Sequence, residues 1–413
     1  MLLVAAACGR TGLGPFIEDE VGDGALDGAD EADEGVGFDD GSEPDPPPNV
    51  DPPPDESCGN GIIEPGELCF LPQVTYWSRL DPCALDVADF DGDGHLDVVT
   101  PNSDFDHVES PDNLTSVLYG NGLGGLSDPV PYSSIEEIPV GVRVGDLDGN
   151  GMADVVVINS DSGSVSLLLN RGARQIAAAG GLFVGELPVM ADVGDLNGDG
   201  ILDVAVTSLD RVGVALGLGN GLLGPATSYT FAGMPWAPRL LDVDRDGALD
   251  LIASNATEGR LFVWRGDGTG ALHEAGSLGT SGSPLGLVDA DVNADGATDL
   301  LVAHSFGLGV MLGDGAGGFV AGVDVEAGLD PRAVAVADLD GDGRLDAAVV
   351  NSASQDVTLT LGDGQGGFEY AATYTVGTLP SGIVAADFNE DGVPDLAVSN
   401  QLSNNIGLIL SNP

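Results

Sequence analysis

Residues Asp338-Leu339-Asp340-Gly341-Asp342-Gly343-Arg344-Leu345-Asp346 alternate carboxylates with glycines and close on a further aspartate. The pattern, Asp-apolar-Asp/Asn-x-Asp/Asn-Gly-x-x-Asp, also begins at Asp89, Asp146, Asp195, Asp242, Asp291 and Asp387. Successive starts lie 57, 49, 47, 49, 47 and 49 residues apart. Between them run short Val/Leu/Ala stretches punctuated by Gly and Asp, the signature of brief strands joined by tight turns. A repeat near 48 residues with strand-like content matches a blade of four short strands, so seven motifs predict an all-β, seven-bladed β-propeller.

The sixth repeat displays the plan, with strands A to D expected at Arg332–Asp338, Ala347–Asn351, Val357–Leu361 and Phe368–Val376. The chain ends at Pro413, just beyond the third strand of the last repeat, Ile406–Leu410. Before the first motif, Leu71–Leu80 reads as an outer strand without a blade. It is expected to complete blade seven and close the ring, which removes the open edges of a linear array.

The motif has the chemistry of a cation loop. Position 1 is Asp89, Asp146, Asp195, Asp242, Asp291, Asp338 or Asp387, and position 3 is Asp91, Asp148, Asn197, Asp244, Asn293, Asp340 or Asn389. Position 5 is Asp93, Asn150, Asp199, Asp246, Asp295, Asp342 or Asp391, and position 9 is Asp97, Asp154, Asp203, Asp250, Asp299, Asp346 or Asp395. Glycine at position 6 permits the sharp turn. The residue at position 7, His95, Met152, Ile201, Ala248, Ala297, Arg344 or Val393, is expected to offer its backbone carbonyl. Hard oxygen donors at this density suit Ca²⁺, up to seven ions per chain. An EF-hand is excluded: the last acid falls at position 9, and a strand such as Val98-Val99 follows where a helix would be needed.

Bulk composition agrees. The 413 residues include 67 Asp and Glu against 12 basic residues, all arginine, for a net charge of −55. Without lysine there is no Walker-type phosphate loop, Schiff base or lysine general base, and this charge repels nucleic acid and anionic membranes. Cations are the natural partners. The four histidines, His95, His107, His273 and His304, form no metalloprotease motif, and no nucleophile–base constellation is visible.

The N-terminal region differs. Residues 1–8 end on Leu3-Val4-Ala5-Ala6-Ala7-Cys8, which resembles a bacterial lipobox with Ala5 in place of the usual leucine; it suggests a signal segment and a lipid anchor at Cys8. Residues 9–57 are acidic and then proline-rich, too poor in apolar side chains to fold, and are read as an extended tether. Residues 58–70, Cys58-Gly-Asn-Gly-Ile-Ile-Glu-Pro-Gly-Glu-Leu-Cys69-Phe70, resemble short Cys-rich elements of bacterial surface proteins. In an exported chain Cys58–Cys69 is the favoured disulfide, while Cys69–Cys83 would clamp the domain entrance. The propeller is expected over 71–413.

The seven loops resemble the FG-GAP or VCBS-type repeats of integrin α-subunit propellers and of many exported bacterial proteins. The Phe-Gly/Gly-Ala-Pro element of that family is eroded here to turns such as Leu361-Gly362-Asp363-Gly364-Gln365-Gly366-Gly367-Phe368, whereas the calcium half is intact in all seven repeats. The resemblance implies a monomeric, secreted or cell-surface calcium propeller acting as a non-catalytic binding or adhesion scaffold. A polysaccharide-acting, lyase-like enzyme and a purely structural envelope protein are the rival readings. In such blades the B–C and D–A loops emerge opposite the acidic loops, and that face is the expected surface for a glycan or protein ligand. It should gather the insertion Thr100–Ser116, Met234–Arg239, His304-Ser305-Phe306, Trp77, Arg79, Arg211 and Arg332. Arg265-Gly266-Asp267 spells an adhesion tripeptide but occupies the Gly-rich C–D turn of its blade, and is read as repeat drift.

Overall fold

The computed structural model describes residues 68–103, 114–134, 138–230 and 233–412. Seven four-stranded antiparallel sheets form the seven blades. In each of the first six, strands A to D follow in chain order from inner to outer edge. Blade six runs Pro331–Ala337, Asp346–Asn351, Asp356–Gly362 and Phe368–Thr375, within a residue or so of expectation. In blade seven Pro380–Ala386, Asp395–Asn400 and Asn405–Ile409 are completed by the N-terminal strand Val74–Trp77, which pairs with Asn405–Ile409. The clasp is therefore real, but shorter than Leu71–Leu80. Among the described residues no helix is long and apolar enough to cross a membrane.

Strand B of every blade is buried from end to end. Its Val, Leu, Ile and Ala residues pack on both faces against neighbouring blades, which is why these runs read as continuous rather than alternating hydrophobics. Strand A is the edge that lines the central channel. It opens on proline in five blades, at Pro139, Pro235, Pro284, Pro331 and Pro380, with a register shift just beyond it. An edge strand tolerates this because the missing N–H faces no partner strand.

Two details of the sequence reading change. Met234–Arg239 is not a surface loop: Pro235–Leu241 is the inner strand of blade four and Trp236 is buried. His304 ends a buried B strand and Arg332 lies in an inner strand, both side chains out of solvent. Residues 1–67, with the lipobox, the tether, Cys8 and Cys58, lie outside the described residues, as do 104–113 of the blade-one insertion. Cys69 and Cys83 are both disulfide-bonded.

Candidate metal centres

All seven acidic loops join strands A and B at the same end of the ring, and their backbone geometry repeats. The buried apolar side chain at position 2, such as Phe90, Leu196 or Phe388, anchors each loop in the core. Position 1 accepts the position-6 glycine N–H at 2.8–2.9 Å in every blade, as with Gly94 on Asp89 and Gly392 on Asp387. The position-7 N–H meets the position-5 side chain at 2.6–2.9 Å, from His95 on Asp93 to Val393 on Asp391. Position 4, unassigned in the sequence pattern, is left-handed throughout: Gly92, Gly149, Gly198 and Gly341, but also Arg245, Ala294 and Glu390, at φ between 57° and 80°.

Position 9 does more than face a cation. One oxygen accepts the N–H of position 2 and the other the N–H at the end of strand C, at 2.6–3.1 Å in all seven blades. Asp97, for example, holds Phe90 and Gly120. This carboxylate staples the loop to its blade, and each oxygen keeps a second lone pair for a metal, except Oδ2 of Asp250 and of Asp395, which also accept from Arg265 and from the Asn389 N–H. Burial, reinforced by the other loop carboxylates, pushes Asp97 and Asp346 up to about 7 and Asp395 to about 6, against the pull of those N–H bonds. Burial likewise raises Asp154, Asp203 and Asp299.

Side chains then divide the loops. In four of them three carboxylates each bring an oxygen within 4.8 Å of the others: Asp89/Asp91/Asp97, Asp146/Asp148/Asp154, Asp242/Asp244/Asp246 and Asp338/Asp340/Asp346. In the first, second and fourth of these the set is positions 1, 3 and 9. In blade four position 5 replaces position 9, because Arg265 holds Asp250 at 2.8 Å. The loops of blades three, five and seven carry asparagine at position 3, and its amide donates to the position-5 carboxylate: Asn197 to Asp199, Asn293 to Asp295, Asn389 to Asp391, at 2.9–3.0 Å. The seven sets are thus less alike than their spacing implies.

Arginines follow the same division. Arg174, reaching from blade two across Tyr119, meets Asp91 at 2.7 Å. Arg171 meets Asp148 at 2.7 Å, Arg265 reaches Asp244 at 3.4 Å as well as Asp250, and Arg344 meets Asp342 at 3.2 Å. All four lie on loops with aspartate at position 3. Arg265 is therefore consumed by the carboxylates of its own blade and by the Gly317 carbonyl of blade five, in keeping with repeat drift at Arg265-Gly266-Asp267. The His95 ring pairs with Glu390 of the neighbouring blade seven, a side-chain role beyond its expected backbone one. Three buried oxygens, Asp148 Oδ1, Asp244 Oδ1 and Asp338 Oδ1, have no hydrogen-bond partner. A cation at these loops would satisfy them.

Residues 146–206, 195–253, 242–302 and 291–349 each match the model of the FG-GAP-like repeat, and each match starts on a position-1 aspartate. The chain carries FG-GAP-like repeats in a seven-bladed β-propeller. No curated protein matches it. Among solved structures it is similar to BBS1N in complex with ARL6DN, at 12% identity and a TM-score of 0.59, over 84% of this chain and 97% of that one. It is also similar to a protein from Lactobacillus plantarum, at 14% and 0.56 over 74% and 87%. The periplasmic gluconolactonase of Pseudomonas aeruginosa follows at 19% and 0.54, over 71% and 85%. At such identities the likeness concerns the fold.

Proposed function

We propose that this protein is a calcium-loaded, exported propeller that serves as a non-catalytic binding scaffold. The observation that carries the calcium reading is the convergence of three carboxylates in four loops with oxygens left buried and unpartnered at Asp148, Asp244 and Asp338. Irregular, oxygen-only loops favour Ca²⁺ over Mg²⁺, which demands a tighter octahedron. The three asparagine loops keep amide and carboxylate oxygens in the same places and bring the full complement to seven. Export, with or without a lipid anchor at Cys8, is supported by the disulfide bonding of Cys69 and Cys83.

A glycan or protein ligand would meet the face opposite the calcium loops, where Trp77 and Phe306 are 60% and 71% exposed. Exposed aromatics of this kind anchor recognition surfaces. Calcium titration of chelator-stripped protein is the test: seven ions per chain are expected, and fewer than four would overturn the reading of the loops. A glycan and protein array, probed with and without calcium, tests the scaffold.

A further inference from the structure

The inner strands carry a second charge pattern, midway along the central channel and just short of the acidic loops. The residue three places before each loop occupies the same register in every blade, and in blades one to four it is Asp86, Arg143, Asp192 and Arg239. In blades five to seven it is Val288, Ala335 and Val384. The first four line a chamber of about 390 Å³ in the axial channel, bounded by the opening residues of the A strands and hence toward the B–C and D–A loops. That volume lies at the lower end of the range for small-ligand pockets. One arc of its wall is charged; Trp236, Val334, Ile383 and Val384 make much of the rest.

The charged arc is incompletely paired. Asp192 is fixed by accepting the Leu240 N–H at 2.8 Å, and Asp86 by the N–H groups of Val87 and Val144. Arg143 Nε and Arg239 Nη1 approach the same oxygen of Asp192 only to 3.7 and 3.9 Å. Arg239 turns its Nε to the Leu287 carbonyl and, at 3.5 Å, to Asp289, while Arg143 donates an Nη1 bond to the Val142 carbonyl and its Nε is buried without a hydrogen-bond partner. Arg332 also lines the chamber and is held by Asp330 at 2.8 Å. With Arg332 paired to Asp330 and Arg239 also facing Asp289, the wall carries no surplus of positive charge, and what sets it apart is donor capacity left unused. Two guanidiniums on one wall of the chamber with donors to spare have the geometry that receives a carboxylate in a fork. The chamber mouth is also built stiffly: Asp81, Ile138, Leu187, Asp330 and Leu379, each just before a proline, all hold a left-handed backbone.

We propose that this chamber binds a small organic carboxylate, taken between Arg143 and Arg239 with its body against Trp236 and the apolar arc. This goes beyond the scaffold reading, since it needs neither the calcium loops nor a macromolecular partner. A free organic acid and an acidic sugar share the chemistry. The test is calorimetric titration of the calcium-replete full chain with benzoate and with glucuronate, each beside a neutral counterpart, benzyl alcohol and glucose. At least one carboxylate should bind one-to-one and at least tenfold tighter than its counterpart, and which one does so identifies the source. Arg143→Gln and Arg239→Gln should each weaken that binding tenfold or more, while Arg260→Gln on an exposed outer position leaves it unchanged. Should either glutamine variant fail to fold, Arg143→Lys keeps the charge but not the fork and should still weaken binding measurably. Equal binding of carboxylate and neutral probe by the unmodified chain, or binding unaltered in a folded Arg143→Gln protein, would overturn the proposal. Calcium stoichiometry measured on the same preparations separates this outcome from that of the loops.

Discussion

The loops of blades one, two, four and six keep aspartate at position 3 and each draw an arginine onto the loop, whereas those of blades three, five and seven place asparagine there and receive an amide-to-carboxylate hydrogen bond instead. The backbone is the same in both groups, down to the left-handed position 4. What differs is how a ring of carboxylates is kept folded before a cation arrives. An arginine is a tethered counter-ion that must yield ground to calcium; an asparagine lowers the charge once and for all. One class should therefore gain more charge attraction from calcium and lose some of it to competition, and the other should do neither.

Removing calcium acts on both classes and has the largest expected effect. With an affinity of about 0.1 mM per site, in the extracellular-module range, about 2 mM free calcium contributes roughly 1.8 kcal/mol at each site. Seven sites give on the order of 10 kcal/mol, comparable to the whole stability of a domain. Excess EDTA should thus lower the melting temperature sharply at low salt, and monovalent salt should restore only part of the loss, because it screens without coordinating. If only the aspartate class binds, titration should saturate at four ions and the loss should shrink in proportion. An unchanged melting curve would mean that calcium does not hold the ring together.

Acidification addresses the position-9 staples. Asp97 and Asp346 stand near 7 and Asp395 near 6 in the folded protein, against about 4 in an unfolded chain. Folded values raised in this way give stability that is fully present below about pH 4 and lost as pH rises through 6 to 7. The calcium-free protein should therefore melt several degrees higher at pH 5 than at pH 8. Saturating calcium should flatten or reverse that slope, because the cation favours the ionised form. A calcium-free protein that is more stable at pH 8 would contradict the assignment.

Exchanging the two solutions comes next in size. The quadruple variant Arg171→Gln, Arg174→Gln, Arg265→Gln and Arg344→Gln removes the tethered counter-ions. Since exposed ion pairs are worth up to about 1 kcal/mol each, calcium should bind the four aspartate loops up to about fivefold tighter, at some cost to the calcium-free fold. The reciprocal variant, Asn197→Asp, Asn293→Asp and Asn389→Asp, adds three uncompensated carboxylates and should sharpen the dependence of melting on calcium. Competition with a chromophoric chelator measures both. If neither variant shifts affinity, the division of the loops has no consequence for binding.

Much of this was legible in the residues, for reasons specific to repeats. Seven returns of one spacing fix the blade count, and an outer strand without a blade at one terminus beside a blade without one at the other fixes the closure. Position 9 was legible as an oxygen donor but not as a staple, because its partners, such as Gly120 for Asp97, lie 23 residues away at the end of strand C. The arginine pairs were hidden for a similar reason: Arg174 and Asp91 belong to different blades, 83 residues apart. Met234–Arg239 looked like a loop because prolines flank Trp236, yet proline is what an edge strand on the channel accepts. The alternation of Asp86, Arg143, Asp192 and Arg239 could have been found by aligning the repeats on position 1 and reading three residues back.

The smallest predicted effect tests the element that both classes share. Position 4 is left-handed in every loop, and Ala294 adopts φ 57° where Gly198 of blade three stands at 71°. A Cβ built on Gly198 meets nothing within 4 Å, so its cost there is purely conformational. A non-glycine residue in this region loses roughly 1–2 kcal/mol, offset by about 0.4–1 kcal/mol because glycine gives the unfolded chain more freedom. Ala294→Gly should accordingly stabilise the protein by about 0.5 kcal/mol and Gly198→Ala destabilise it by a similar amount. Both loops carry asparagine at position 3 and no arginine pair, so the exchange changes neither charge nor coordination. Calcium affinity should stay level in both variants while melting moves in opposite directions, by about 1 °C in a domain of this size. Melting shifts of the same sign would show that position 4 is not governed by its backbone conformation, and a change in affinity would show that the loop backbone is not the rigid frame on which the comparison between the two classes depends.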